Sequence, residues 1–344
     1  MIITDAWHPQ INGVVTTLTN TCTELEKLGH TVKIIDPSLF KAIPCPGYPH
    51  FHLAFLCGPK LRPIVEQFKP DAIHIATEGP VGYAARRYCF YKGYRYTTSL
   101  HSRYPEYLKI RVGFPLFISH TYLRWFHRKS ARIMVATESL QRELTSKGYK
   151  KLVLWQLGVD TELFHPSDKM FMLNSGIQDK RPISMYTGRI AIEKNIEAFL
   201  KLDLPGTKYI IGDGPLRETL TDQYPDVHFV GYKQGKELAR YMAAADVFVF
   251  PSKTDTFGLV LLESLACGVP VAAYPVTGPN DVISDPQVGT LDNNLRAAAL
   301  KSLSLDADDC RRYALNYSWL QSAKQFVGNL VHKNSRKVTT QRNR

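Results

Sequence analysis

The feature that most restricts how this chain can fold is an alternation of short β-branched runs with helical stretches, sustained from one end to the other. In the first half the strand candidates are residues 31–36, 72–76, 94–100, 132–137 and 152–156. In the second half they are residues 183–188, 208–212, 227–231, 246–250 and 269–274. Strands separated by helix-length segments pair in parallel, with helices covering both faces. Two such halves predict an α/β protein of two Rossmann-like domains with a cleft between them. The polar, Met-containing stretch from Ser167 to Arg181 separates the halves, which places the boundary after residue 166. An apolar stripe of Val14, Leu18, Cys22, Leu25 and Leu28, stopped by Gly29, marks the first helix. Trp319, Ala323, Phe326, Val327 and Leu330 predict a last amphipathic helix within 317–331.

Composition narrows the class further. The 344 residues suffice for two domains, and 44% apolar content fits well-packed cores. The six cysteines, at 22, 45, 57, 89, 267 and 310, lie far apart with no CxxC or Cys/His cluster. That spacing argues against a disulfide framework and a zinc site and fits a reducing cytoplasm. The opening MIITDAWHPQ has no basic region followed by an apolar run, so it does not read as a secretory signal. The most apolar stretch, 257–276, is interrupted by Glu263, Gly268, Pro270 and Pro275, so no membrane-spanning segment is expected.

The net charge of +12 is concentrated in two places. Residues 86–129 hold ten basic side chains against the single acid Glu106: Arg86, Arg87, Lys92, Arg95, Arg103, Lys109, Arg111, Arg124, Arg128 and Lys129. Aromatic residues, Trp125 among them, interleave with this strip. The tail 332–344 holds five basic residues and no acid, and reads as disordered. A basic, aromatic strip suits an anionic membrane surface or a nucleic acid, and a solvated face over ordinary core aromatics has the same composition.

Residues 251–268, PSKTDTFGLVLLESLACG, carry the chemistry. They follow the buried strand at 246–250, so Asp255 to Gly258 lies at a strand's carboxyl end, where open α/β sheets bind ligands. Asp255 and Glu263 stand eight apart, about two helical turns if the residues between are helical, so both can face one cleft. Backbone N–H groups of Thr256, Phe257, Gly258 and Leu259 open a helix and can hold an anion, with Gly258 permitting close approach. Gly13 opens the first helix by the same logic. Arg189 and Lys194 follow the strand at 183–188, and basic residues are unusual at a helix start. GDGPLRE at 212–218 resembles half of a dinucleotide fingerprint, but Arg217 occupies the third glycine position, so a dehydrogenase is not expected. DAD at 306–308 reads as an N-cap with first-turn acids rather than a metal site.

GVDTELF at 158–164, TGR-x4-K at 187–194, GDGP at 212–215 and Asp255-TFGLVLLE-Ser264 occur in one order, and together they resemble the retaining glycosyltransferases of family 4, with the GT-B fold. TDAWHPQINGVVTTL and HIATEGP look most similar to bacterial members that move hexose or hexuronic acid onto lipids such as diacylglycerol. Two departures are visible: Asp255 stands where the family has glutamate, and the first strand looks clipped. The resemblance implies a first domain, 1–166, for the acceptor and a second, 167–318, for the nucleotide sugar. A helix, 319–331, would cross back to the first domain before the tail. Arg189 and Lys194 would stabilise the departing diphosphate without metal, an electrostatic role suited to developing negative charge. Glu263 would accept hydrogen bonds from ribose, Asp255 from the donor sugar, and His101 would face the transferred end of the sugar. The region around Gly212 and Tyr232 would take part in nucleotide binding, while Glu78 would touch acceptor or donor. The implied partners are a nucleotide-sugar donor, UDP-linked by preference and GDP-mannose as the alternative, and a lipid acceptor or a soluble saccharide. No cofactor is implied. The expected location is the inner face of the cell membrane, peripherally attached from the cytoplasm. A non-catalytic nucleic-acid-binding protein is the competing class, and it leaves Arg189, Lys194, Asp255 and Glu263 without purpose.

Overall fold

A computed structural model of the protein describes residues 1–45, 48–171 and 180–335. The strands are β1 (Ile2–Ile3), β2 (Ile34–Ile35), β3 (Lys41–Cys45), β4 (Tyr48–Phe55), β5 (His74–Ile75), β6 (Thr97–Leu100), β7 (Ile133–Val135) and β8 (Leu152–Leu154). The second half contributes β9 (Ile183–Thr187), β10 (Thr207–Ile211), β11 (Val227–Gly231), β12 (Val247–Phe250), β13 (Val271–Ala273) and β14 (Gly289–Leu291). The helices of the first half are α1 (Gly13–Lys27), α2 (Cys57–Phe68), α3 (Pro80–Lys92), α4 (Tyr104–Val112), α5 (Leu116–His127) and α6 (Glu138–Ser146). Those of the second are α7 (Ile196–Leu200), α8 (Arg217–Gln223), α9 (Gly235–Ala244), α10 (Leu259–Ala266), α11 (Pro279–Val282), α12 (Leu295–Ser302), α13 (Ala307–Ala314) and α14 (Trp319–Asn329).

Two six-stranded parallel sheets result, ordered β2-β1-β5-β6-β7-β8 and β11-β10-β9-β12-β13-β14, with β3 and β4 forming a separate antiparallel hairpin. All ten strands expected from the sequence are present, eight of them shortened at their ends, with β11 as expected and β10 shifted by one residue. The order reverses between β1 and β5 in the first sheet and between β9 and β12 in the second. Loops leaving adjacent strands there diverge to opposite faces and open a crevice. The first strand, expected to be clipped, is two residues long yet central, pairing with both β2 and β5. Three strands escaped the alternation pattern: β14 and the hairpin pair β3 and β4.

Local chemistry fixes the ends. The side chain of Asn12 accepts bonds from the N–H groups of Val14 and Val15, both at 3.0 Å, and so starts α1. The stripe that α1 buries is Val15, Leu18, Cys22 and Leu25, whereas Leu28 is exposed past the last turn. Asp306 caps α13 through Asp308 N–H at 2.7 Å, the role read for DAD. Five of the six cysteines, at 22, 57, 89, 267 and 310, are buried free thiols.

Helix α14 lies against the first sheet's unit. The indole of Trp155 donates to Ser322 (3.1 Å), Asn329 donates to the Leu154 carbonyl (2.7 Å), and Phe326 packs on Trp155 and His74. Residues 332–335 then run along the same unit, Lys333 N–H bonding to the Asp71 carbonyl and Arg95 N–H to that of Lys333. The start of the tail is therefore ordered against the expectation, because these backbone groups find partners. Residues 336–344, like residues 172–179 of the inter-domain stretch, lie outside the described residues. Among the described residues no helix is long and apolar enough to cross a membrane.

Candidate active site

The two sheets turn their carboxyl ends toward one another, and the expected residues sit on the loops that leave them. Gly13 is the first residue of α1, and a Cβ placed on it would lie 3.8 Å from Leu259, the first residue of α10. Two helix N-termini, one from each unit, thus face each other. In α1 the Asn12 cap already takes the N–H groups of Val14 and Val15, which leaves that of Gly13, whereas α10 has no side-chain cap; with the two dipoles these make an electropositive mouth suited to a phosphate. Gly258 precedes α10 with a φ of +87°, a conformation that favours glycine. Phe257, by contrast, buries its ring in the core, so only its backbone is available.

Helix α10 begins at Leu259, so residues 255–258 form a loop and the two acids are not two helical turns apart. The side chain of Glu263 instead follows Leu259 by four residues on one helix face, the face that meets Gly13. Among the described residues its carboxylate has no hydrogen-bond partner, and burial alone pushes its pKa up to about 7. A half-buried acceptor without a protein donor in the wall of a crevice is available to a donor from a ligand.

Lys194 ends the 3-10 turn Ile192–Lys194 after β9, and its ammonium donates to Asp255 Oδ1 at 2.5 Å. Their side chains are 19% and 15% exposed. Burial depresses the pKa of Lys194, but the adjoining carboxylate of Asp255 outweighs it and keeps the ammonium charged. The sequence assigned these two groups to separate ends of a donor, whereas the structure joins them. A lysine ammonium has three N–H donors, so one can hold Asp255 while others face an anion. Asp255 Oδ2 is buried and accepts no hydrogen bond. Arg189 lies at the same crevice, two residues beyond β9, with its carbonyl accepting from the Tyr186 hydroxyl at 3.1 Å.

Three residues that carry no motif signal lock this arrangement. Glu193, beside Lys194, is buried with its side chain 3% exposed and forms a two-contact ion pair with Arg111 of α4, across the two units. Thr254 donates to the Glu193 carbonyl at 3.0 Å, tying the Lys194 turn to the Asp255 loop. Burial pushes the Glu193 carboxyl up, but the Arg111 guanidinium overcomes it and holds the group below the ordinary range. Sequence spacing cannot reveal this pair, because its members are 82 residues apart.

His101 stands directly after β6, and its carbonyl accepts from Thr256 Oγ1 at 2.7 Å, another link between the units. Its Nε2 lies 2.8 Å from Ser99 Oγ, and its ring meets Trp155 edge-on at 5.4 Å. Burial lowers its pKa to about 4, so the imidazole is neutral at physiological pH. Gly212 has a φ of +142° and a backbone reason for being glycine, since a Cβ there would strike the Gly188 carbonyl. Tyr232 follows β11, two strands out from β9, and is exposed with its hydroxyl on Gln234. It is the member of the expected set furthest along the sheet from the Lys194–Asp255 pair. Glu78, beyond β5, accepts from buried His127 at 3.1 Å.

The basic strip divides in two. Arg86 is held by the carbonyls of Phe126 and Trp125 and stacks on the Trp125 ring at 3.9 Å. Arg95 bonds Ser335, Arg124 bonds the Lys147 carbonyl, and Arg111 is spent on Glu193. These four are half-buried and make internal contacts. Arg87, Lys92, Lys109, Trp125, Arg128 and Lys129 are exposed, beside Phe90, Tyr91, Val112 and Phe117.

Two α/β units that turn the carboxyl ends of their sheets toward one crevice are the architecture of the GT-B fold. Residues 11–163 match the family model for Glycosyltransferase Family 4, and residues 171–314 match that for Glycosyl transferases group 1. The chain belongs to the family 4 glycosyltransferases and has their GT-B fold. It is 31% identical over 262 residues to the sulfoquinovosyl transferase SQD2 of Arabidopsis thaliana, covering 72% of this chain and about half, 51%, of that relative. It is 29% identical to an alpha-monoglucosyldiacylglycerol synthase of Streptococcus pneumoniae, covering 96% of this chain and 84% of the relative. A GDP-mannose-dependent alpha-mannosyltransferase of Mycobacterium tuberculosis is also 29% identical, over 84% and 82%. Among solved structures, the fold matches a sucrose-phosphate synthase of Thermosynechococcus elongatus with a TM-score of 0.75 at 20% identity, over 95% and 97% of the two chains.

Proposed function

We propose that this glycosyltransferase moves a hexose or hexuronic acid, with retention and without a metal, from a nucleotide sugar to a lipid acceptor at an anionic membrane surface. The observation that carries the donor half is the convergence of the α1 and α10 N-termini on a crevice edged by Lys194, Asp255 and Glu263. In this reading the diphosphate lies between the two helix starts, with Arg189 and Lys194 stabilising the charge that develops on it. Glu263 receives the ribose hydroxyls, and Asp255 Oδ2 receives a sugar hydroxyl. Neutral His101 lines the opposite wall. UDP is the favoured nucleotide on the sequence resemblance to lipid-directed members alone, and a GDP-mannose donor is the second reading, supported by the name of the mycobacterial relative.

The acceptor half rests on the exposed part of the strip. Arg87, Lys92, Lys109, Arg128 and Lys129 would meet acidic headgroups from the cytoplasmic side, each contributing on the order of 1 kcal/mol, while Trp125 and its neighbours enter the interface. Thermal-shift titration with UDP, GDP and ADP and their sugar forms, in the presence of chelator, tests the donor. A base-selective rise in melting temperature that Lys194→Ala abolishes is expected. Equal responses to all three nucleotides, or none, would defeat the donor reading. Flotation with phosphatidylglycerol vesicles at low salt tests the surface, and absence of binding would remove the membrane from the proposal.

A further inference from the structure

The geometry points to Glu78 as the group that binds the hydroxyl of the acceptor, held in place from behind by His127; this rests on the glycosyl-transfer reading above. Glu78 lies three residues beyond β5, which runs between β1 and β6. Neighbouring parallel strands are about 5 Å apart, so its loop stands between those bearing Gly13 and His101, on the first unit's side of the crevice.

His127, at the end of α5, has a side chain only 1% exposed, whereas that of Glu78 is 21% exposed. Both ring nitrogens of the histidine are engaged, Nδ1 with Thr98 Oγ1 at 2.9 Å and Nε2 with Glu78 Oε1 at 3.1 Å. With the threonine hydroxyl donating to Nδ1, Nε2 carries the proton and donates it to the carboxylate. One oxygen of Glu78 is thereby fixed, and among the described residues the other has no hydrogen-bond partner. A half-satisfied carboxylate with a buried, fully bonded support is an oriented acceptor awaiting an O–H.

Its position also joins the two parts of the proposed reaction. The hydroxyl of Tyr122 donates to the Glu78 carbonyl at 2.7 Å, and the Tyr122 ring stacks on Trp125 at 5.9 Å, which in turn stacks on Tyr83 at 6.1 Å. Tyr83, Tyr122 and Trp125 are all exposed, so an aromatic ledge runs from the surface strip to Glu78. An alcohol with an apolar body and a hydroxyl end, such as the glycerol hydroxyl of a diacylglycerol, matches that sequence of surfaces.

The test uses Glu78→Gln in the full chain, with the nucleotide sugar that the wild-type protein turns over and dioleoylglycerol in phosphatidylglycerol vesicles as acceptor. In the variant the amide oxygen remains on His127 Nε2–H, which turns the amide N–H2 toward the crevice and replaces an acceptor with a donor. The expected result is a rise of about 10- to 100-fold in KM for dioleoylglycerol, with the nucleotide-induced thermal shift unchanged. Glu78→Asp, which withdraws the carboxylate by one methylene, is expected to fall between the two. An acceptor KM within about twofold of wild type in both variants overturns the inference while leaving the transferase reading intact. Loss of the nucleotide shift in Glu78→Gln also overturns it, assigning Glu78 to the donor. Wild-type protein with neither a nucleotide shift nor transfer defeats the underlying reading, and this inference with it.

Discussion

Glu263→Gln is expected to stabilise the protein at alkaline pH while weakening its hold on the donor. Burial is the sole cause of the raised pKa of Glu263, about 7 against an ordinary 4.5. A carboxyl whose pKa is higher in the folded state contributes stability that is present below pH 4.5 and lost as the pH rises toward 7. The full loss corresponds to about 3 kcal/mol above pH 7.5, and to less than about 1 kcal/mol at pH 5. Glutamine has nearly the same volume and no charge to desolvate, so it escapes that penalty. For a unit of this size the recovered energy corresponds to a melting temperature higher by roughly 5–10 °C at pH 8, with little change at pH 5. Scanning calorimetry at pH 5, 6, 7 and 8 gives the comparison. Calorimetric titration with the nucleotide sugar should show affinity lower by about 10- to 100-fold for the variant, because ribose hydroxyls then donate to a neutral amide. Wild-type affinity should itself rise between pH 6 and 8, and that of the variant should not. A variant that melts below wild type at pH 8, or a difference that ignores pH, would refute the assignment of Glu263 as a half-buried, unpartnered acid kept for a ligand.

Other substitutions separate packing from function. Arg111→Ala leaves the Glu193 carboxylate buried without its cation and should cost about 3 kcal/mol at pH 8, as for a broken buried pair. Burial then raises Glu193 against only its backbone hydrogen bond and the Arg189 charge, so the loss should shrink as the pH falls and the group takes up a proton. Adding Glu193→Gln should restore much of it, and urea midpoints at pH 8 and pH 5 report both effects. Gly13→Ala meets only Leu259 at 3.8 Å, so folding should be unaffected or improved by up to about 1 kcal/mol. Its methyl group faces the crevice, and nucleotide affinity by thermal shift should fall at least about tenfold, since about 1.4 kcal/mol of lost contact suffices. Arg128→Glu with Lys129→Glu should abolish flotation on phosphatidylglycerol vesicles without moving the melting temperature. Arg86→Glu should instead lower the melting temperature, because that guanidinium holds two carbonyls and the Trp125 ring.

Much of the fold was legible because it is written in local patterns. β-Branched runs such as Val247–Phe250 specify buried parallel strands in any context that covers both faces, and the Asn12 and Asp306 caps act within three residues of themselves. β14 was missed because Gly289–Leu291 is three residues long and has no alternation to read, and β3–β4 because a hairpin interrupts the expected order. The placement of the candidate residues was legible for a related reason: Lys194, Gly258, Asp255 and Glu263 each sit at fixed offsets from a strand end, so local order places them at one edge of one sheet.

What the sequence determined by itself is therefore the two-unit α/β architecture, the family, and which residues stand at the strand ends. Tertiary structure alone decided how they pair. Lys194 with Asp255, Glu193 with Arg111 and Glu78 with His127 are separated by 61, 82 and 49 residues. The division of the basic strip has the same origin, since composition counts charges and cannot say which of them a carbonyl or a buried carboxylate has already claimed. Hydrogen bonds and ion pairs act through space between side chains that the fold brings within a few ångströms, so a contact set by sheet order and helix packing leaves no periodic trace along the chain.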